Sequence, residues 1–324
     1  MEGDSKLSKG NQVLCIGSAN MDYKMNLKGE FIKGTSNPVT SSVSYGGVIR
    51  NVAENLGRLG AQVALMSILG EDIQGNNLIA HASHCMDTSA VEKTAAYGTG
   101  NYSALLDING EMIIGMADME INRLMDRAWI LRHRDDILRS QWIAVDCNIE
   151  KDAMEALIQM AVEAGKNLAI IGVSGPKMDR IPEVIDGVAI GIFNRDETQS
   201  YFKTGEDDVE KLCGMWLNKG MKQAVVTSGK HAIGWGDDSG IHSTKVRVVD
   251  QVVDVTGAGD AFCAGLIFGL TEEKPLQECI NLGMANSTLT IQSKESVQTD
   301  LTYEKLLKEI AKQKDSTREL NQRT

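Results

Sequence analysis

Short apolar runs alternate with stretches of helical period along most of the chain. The runs at 13–17, 63–69, 142–147, 168–173, 188–193 and 224–227 predict strands. Segments 48–59, 76–84, 151–164, 207–219, 259–270, 276–291 and 303–312 space their apolar residues for helices. The strand runs are apolar at nearly every position, so both of their faces are to be covered. Alternation of such strands with helices predicts an α/β fold on a parallel sheet with helices on both sides.

Two stretches break this rhythm. Residues 23–45 are polar and rich in Ser and Thr, without a helical period. Residues 98–117 place Asp107-Ile108-Asn109-Gly110 between two apolar runs, and Asn-Gly there is a strong hairpin signal. The two stretches are expected to pair into a small sheet outside the main layers, a lid over a site at the strand ends. Two unrelated surface hairpins are the plainer reading. The remainder reads as one domain over 11–314, with 1–10 and the polar tail 315–324 expected to be flexible.

Composition narrows the function. The chain has 324 residues, with 33 Lys and Arg against 44 Asp and Glu, a formal charge of −11. No basic cluster offsets that balance, which argues against a nucleic-acid reader. The one candidate, residues 132–139, is interrupted by Asp135 and Asp136 and reads as a solvated helix face. No apolar run reaches the roughly 18 residues of a membrane span. Residues 1–12 lack the apolar core of a secretory signal. The six cysteines, Cys15, Cys85, Cys147, Cys213, Cys263 and Cys279, are scattered and form no CxxC pair. They read as reduced thiols in a cytoplasmic protein rather than as disulfides or a zinc site.

The densest chemistry is Asp254-Val255-Thr256-Gly257-Ala258-Gly259-Asp260. A strand pattern over 245–253 precedes it and a helix follows. Gly257 and Gly259 permit a sharp turn and close approach of a ligand. The amides of Gly257, Ala258, Gly259 and Asp260 then open an anion hole at a helix start. Asp260, in the same first turn, suits a general base beside a phosphoryl group, or a residue capping its own helix. A Walker A loop is excluded, because Gly229-Lys230 is followed by His231. A dinucleotide fingerprint is excluded by Phe262 at its last small-residue position.

A second group lies near the N-terminus. Asn20 and Asp22 follow the first strand, where ligands bind in open α/β sheets. An Asp there can accept hydrogen bonds from two sugar hydroxyls, and both residues also suit a plain turn. Gly46-Gly47 opens a helix that carries Asn51 in its first turns and stops at Gly60. Gly70-Glu71-Asp72-Ile73-Gln74-Gly75 reads as a structural strand-to-helix turn.

Segments 46–56 and 254–265, about 200 residues apart and in this order, resemble the two signatures of the ribokinase-like (PfkB) carbohydrate and nucleoside kinases. The likeness runs over about 13–299. Within that family, segments 17–22, 46–56 with Arg50-Asn51, 106–111, 118–119 and 145–149 are most similar to the pseudouridine kinase branch. The resemblance implies a three-layer α/β/α sandwich with a mainly parallel central sheet and a small β-sheet lid. It implies transfer of the γ-phosphoryl group of ATP to a primary hydroxyl, in that branch the 5′-hydroxyl of pseudouridine. Asp260 matches the family's catalytic base, and Gly257, Ala258 and Gly259 its anion hole. Asp22 matches the residue gripping the ribose, with Asn20, Gly46, Gly47, Asn51 and Asn148 beside it. Asn194-Arg195-Asp196-Glu197 matches the N-x-x-E motif, in which Asn194 lies near the phosphates and Glu197 organises Mg²⁺ through water. Thr227, Gly229 and Asn286 match positions bordering ATP. Asp254, Thr256 and 293–299 match the region that binds K⁺ in many members. A homodimer formed through the lid is also expected, because a lid sheet exposes an apolar face that can pair with a second subunit.

Three positions depart from that pattern. Ile49 replaces a usual Gly, Ile171-Gly172 stand where Asp-Pro is common, and Ile192-Phe193 where Lys-Pro is common. They leave open a kinase for another nucleoside or sugar, and a nucleoside- or sugar-binding protein without catalysis.

Overall fold

The computed structural model describes residues 12–246, 249 and 251–321, with side chains in the last helix through residue 312. The chain enters through β1 (Val13–Ile16) and leaves the main layers for β2 (Asn20–Leu27) and β3 (Val39–Gly46). It returns through α1 (Val48–Arg58), β4 (Val63–Gly70), α2 (Ile73–Ala82) and β5 (Val91–Thr94). A second excursion makes β6 (Asn101–Leu106) and β7 (Met112–Asp118). Next come α3 (Arg127–Arg132), α4 (Arg134–Arg139), β8 (Trp142–Asp146), α5 (Lys151–Glu163) and β9 (Asn167–Ile171). They are followed by β10 (Ile190–Asn194), α6 (Arg195–Phe202), α7 (Val209–Asn218) and β11 (Gln223–Thr227). The hairpin of β12 (Ala232–Asp237) and β13 (Gly240–Lys245) precedes α8 (Ala258–Thr271), α9 (Leu276–Ile291) and α10 (Tyr303–Asn321).

The main sheet has nine strands in the order β13-β12-β11-β10-β9-β8-β1-β4-β5. All neighbours from β11 to β5 pair in parallel, and the β11–β12 and β12–β13 pairs at one edge are antiparallel. Alternate residues of β1 face different cores. Val13 and Cys15 pack with α1, α8 and α9, while Leu14 and Ile16 pack with α3, α5 and α7. Both faces are therefore covered, which explains the unbroken apolar runs. The chain builds outward from β1 through β4 and β5, then resumes at β8 on the other side of β1. That reversal leaves a crevice at the C-terminal ends of β1 and β8, where ligands bind in open sheets.

The two excursions do pair, as expected. They form a separate sheet, β3-β2-β6-β7. The β6–β7 turn follows its sequence: Gly110 takes φ 84°, and Asp107 accepts from the amides of Asn109 and Glu111. Glycine suits that left-handed position because it has no Cβ. The outer face stays apolar and exposed, with Val43, Met112, Ile114 and Met116 about half accessible.

Several elements were not legible beforehand. β5 reads Val-Glu-Lys-Thr, with too few apolar residues to signal an edge strand. The strand expected over 245–253 ends as β13 at Lys245, and residues 247, 248 and 250 lie outside the described residues. The last helix runs on to Asn321 rather than stopping at 312, while 1–10 and 322–324 fall outside the described residues. Segment 132–139 becomes the junction of α3 and α4, where Arg132, His133 and Arg139 pair with Glu92 and Asp136. All six cysteines are free thiols, five of them buried. Among the described residues no helix is long and apolar enough to cross a membrane.

Asp72 holds the turn after β4. Its carboxylate accepts from the amides of Gly75 and Thr99, both at 2.7 Å, and from the Thr99 hydroxyl. Asp72→Ala removes an N-cap and leaves those donors unpaired, a loss of about 1–2 kcal/mol. Urea unfolding is expected to show a lower midpoint with an unchanged slope.

Candidate active site

β1 ends at Ile16, and the chain turns at Gly17, whose φ of 145° is closed to most side chains. A Cβ at Gly17 would overlap the carboxylate of Asp146, at the end of β8. Asp146 is fully buried and accepts from the amides of Ser18, Ile49 and Asn148 and from the Asn148 side chain. Burial pushes its carboxyl up, and hydrogen bonds from Asn148 pull it back. The starts of β2 and α1 and the turn after β8 thus meet on one carboxylate.

The lid strand β2 then delivers Asn20 and Asp22. Asn20 Nδ2 donates to Asp22 Oδ1 at 2.7 Å. Burial raises the Asp22 carboxyl, opposed by Asn20 and by the Arg50 guanidinium. Gly46 and Gly47 are needed for contact rather than for chain flexibility. A Cβ on Gly46 would overlap the Asp22 carboxylate, and one on Gly47 would overlap the Ser18 carbonyl. Gly47 also caps α1 with φ 100°.

Across the crevice, α8 starts at Gly257, which takes φ 79° and lies so close to the Ser296 carbonyl that a Cβ would overlap it. The Ala258 amide is already committed to the Val255 carbonyl. Ala258 therefore departs from the expected anion hole, while the amides of Gly259 and Asp260 lie in the first turn of α8, where a helix leaves its donors without intrahelical partners. Asp260 Oδ2 accepts from Asn51 Nδ2 at 2.6 Å, which joins α8 to α1. Desolvation raises the Asp260 carboxyl to about 7. Asn51 and Arg50 act against that rise, while Asp146 and Asp22 add to it.

The residues expected on the nucleotide side divide. Asn194 ends β10 and faces Thr227, its register partner at the end of β11. Gly229 takes φ 52° in the turn that follows. Asn194 and Glu197 form a reciprocal capping box on α6: Asn194 Oδ1 accepts from the Glu197 amide and Glu197 Oε2 from the Asn194 amide, each at 2.8 Å. Asn286 does not join this group. It is fully buried, and its Nδ2 donates to Asn55 Oδ1 and to the Ala261 carbonyl. Its place bordering ATP is corrected to one locking α9 onto α1 and α8. Asn148 also turns inward, held by Asp146 and by the Lys177 ammonium.

Asp254, expected in a K⁺ site, is tied to the lid. Its Oδ2 pairs with the lid residue Lys24 at 2.8 Å, and its Oδ1 accepts from the amide and hydroxyl of Thr256. Both carboxylate oxygens of Asp254 are thus engaged, one by the lid and one by Thr256. Among the described residues no cluster of three or more His, Cys, Asp or Glu is placed to bind a metal ion.

Sequence reasoning missed Arg50, Asp146, Lys177 and Lys24 as members of the site. Arg50 did carry a signal, a cation in the apolar register of α1. Asp146 did too, as a carboxylate closing an apolar strand. The other two come from segments that only the fold brings near.

A crevice at a sheet reversal, with the small sheet beside it and a helix start carrying the desolvated Asp260, fits a phosphotransferase acting on a hydroxyl. The chain belongs to the pfkB family of carbohydrate kinases, whose model matches residues 11–302. It is 27% identical to the pseudouridine kinase of Escherichia coli, over 90% of this chain and 93% of that protein. It is 28% identical to the guanosine-inosine kinase of Exiguobacterium acetylicum, over 88% of this chain and 96% of that one. Among solved structures, a carbohydrate kinase from Agrobacterium tumefaciens superposes with a TM-score of 0.81 at 26% identity, covering 93% of this chain and 97% of its own. The three-layer ribokinase-like sandwich expected from the sequence is the fold observed.

The raised Asp260 carboxyl has a consequence for stability. In the unfolded chain an Asp titrates near 3.9. A group raised on folding contributes stability below its unfolded value and loses it as pH rises through the folded value, here about 7. Asp260→Asn removes that charge and is expected to melt higher than the parent at pH 8, the gap closing towards pH 4. A gap that does not depend on pH would contradict the buried-charge account.

Proposed function

We propose that the protein transfers the γ-phosphoryl group of ATP to the 5′-hydroxyl of pseudouridine. The observation that carries the reading is the Asn51–Asp260 pair at the start of α8, facing Asn20 and Asp22 across the crevice. The likeness to Escherichia coli pseudouridine kinase over nearly both full lengths supports that acceptor. Asp22, Asn20 and the backbone at Gly46 and Gly47 grip the ribose hydroxyls, with Asn51, Asn148 and Lys177 nearby. The acceptor oxygen attacks the γ-phosphorus, its bond to the β,γ-bridging oxygen breaks, ADP departs, and Asp260 takes the hydroxyl proton. Amides of Gly257, Gly259 and Asp260 receive charge from the phosphoryl oxygens. Asn194, Thr227 and Gly229 border the nucleotide.

The residues fit a water-mediated Mg²⁺ site. The buried Glu197 carboxylate is spent partly on its capping box, and burial raises it, so an outer role suits it better than direct ligation. Mg²⁺, when bound, supplies charge neutralisation on the phosphates. The lid of β2, β3, β6 and β7 excludes water. Its exposed apolar face suits pairing with a second copy, and sedimentation at working concentration measures that. The reading is of a single catalytic domain in the cytoplasm, a setting supported by six free thiols.

A second reading, another nucleoside as acceptor, is favoured by the likeness to guanosine-inosine kinase. A screen of acceptors with ATP and Mg²⁺ separates the two. Pseudouridine is expected to have the highest kcat/KM; another acceptor preferred by about tenfold, roughly 1.4 kcal/mol in barrier, defeats the reading. Asp260→Asn is expected to lower kcat by about 10²–10⁴-fold. Because the base must be ionised, kcat/KM is expected to fall as pH drops through about 7.

A further inference from the structure

Arg50 is among the largest side chains fully enclosed by this protein. A lone guanidinium is costly to bury, so its partners show its use. Nε donates to the Gly46 carbonyl at 3.1 Å and Nη2 to the Tyr45 carbonyl at 2.7 Å. Nη1 pairs with Glu54, one turn on, and Nη2 also donates to Asn51 Oδ1. Arg58 and His81 complete the shell around Glu54.

The contact with Asn51 is the informative one. A guanidinium donates and never accepts, so Asn51 must turn its carbonyl oxygen to Arg50. Its NH₂ is then left to face Asp260, where it donates. Without Arg50 the amide could turn over and present oxygen to a carboxylate. The same guanidinium holds the Tyr45–Gly46 backbone against which Asp22 packs. Its charge acts on both Asp260 and Asp22.

We infer that Arg50 is the positioning residue of this site: it fixes the amide of Asn51 towards Asp260 and lends positive charge to Asp260 and Asp22 together. This rests on the reading of Asp260 as the base. The groups that bear on Asp260 are Arg50 and Asn51 from α1, Asp22 from β2, and Asp146 from β8. Arg50 is the only cation among them, so its removal acts in one direction.

The test reads Asp260 directly, by carboxyl ¹³C NMR of Asp-labelled protein, with the signal assigned through Asp260→Asn. In Arg50→Gln/Glu54→Gln, which deletes both members of the pair, the Asp260 midpoint is expected to rise by at least 0.5 pH unit, roughly threefold in proton affinity. The acid limb of kcat/KM should move with it. Arg50→Lys keeps the charge without the planar fork. It is expected to leave the midpoint in place while kcat falls at least tenfold. An unmoved midpoint in the double variant overturns the inference, whatever the acceptor proves to be. Should the double variant not fold, Arg50→Lys decides alone, and parental kcat overturns it. A shifted midpoint with no pseudouridine turnover leaves the role of Arg50 standing and removes the proposed acceptor.

Discussion

The carboxylate of Asp146 ties together the segments from which the site is built. It is fully enclosed, and it accepts from backbone amides at the start of the lid, the start of α1 and the turn after β8. A buried acid with that many donors is satisfied only when all three segments are in place. Gly17 and Gly47 follow from this crowding, because neither position has room for a Cβ. The reversal of strand order supplies the crevice, and Asp146 fixes its floor.

Above that floor the site is a crowd of acids with few cations. Asp22, Asp146 and Asp260 all have carboxyls raised by desolvation, and Asp22 and Asp146 each push Asp260 further up. Arg50 offsets this from one side, and Lys177, itself lowered by burial, offsets Asp146 from another. The outcome suits phosphoryl transfer, because a base near neutrality can both accept and release a proton. The chain's net charge of −11 is no obstacle to an anionic nucleotide. A helix start such as that of α8 favours an anion locally, whatever the net charge of the chain.

The parallel sheet, the small separate sheet and the glycine-led start of α8 were all legible from periodicity and glycine placement. Strands apolar at every position can only lie between two layers, and Asn109-Gly110 could hardly be anything but a hairpin turn. What stayed hidden depended on distance along the chain. Nothing local in Lys24 announces that it will meet Asp254, 230 positions away. Asn286 was expected beside ATP only from the resemblance, and a polar residue on a helix gives no sign of its own that it will be buried. Asn194 and Glu197 were found for their spacing, which also makes a capping box. One pattern serves both ends, since a helix start needing an acid at its third position is also a place to station one.

The positions that depart from the family pattern can be read the same way. Ile49 lies inside α1, fully buried, and gives its amide to Asp146, so the helix asks nothing of it that a β-branched residue cannot supply. Gly172 is where the Glu197 carboxylate rests, and a Cβ there would overlap it. Phe193 stacks on Trp216 at 4.2 Å between ring centroids, which anchors the end of β10 just before Asn194. Each change therefore has a packing partner that retains or supports a site residue. Such coupling opposes the idea of a decayed kinase, because a chain released from catalysis has no reason to keep Glu197 housed and Asn194 braced. The departures at Gly172 and Phe193 are packing changes that accommodate Glu197 and brace the strand end at Asn194.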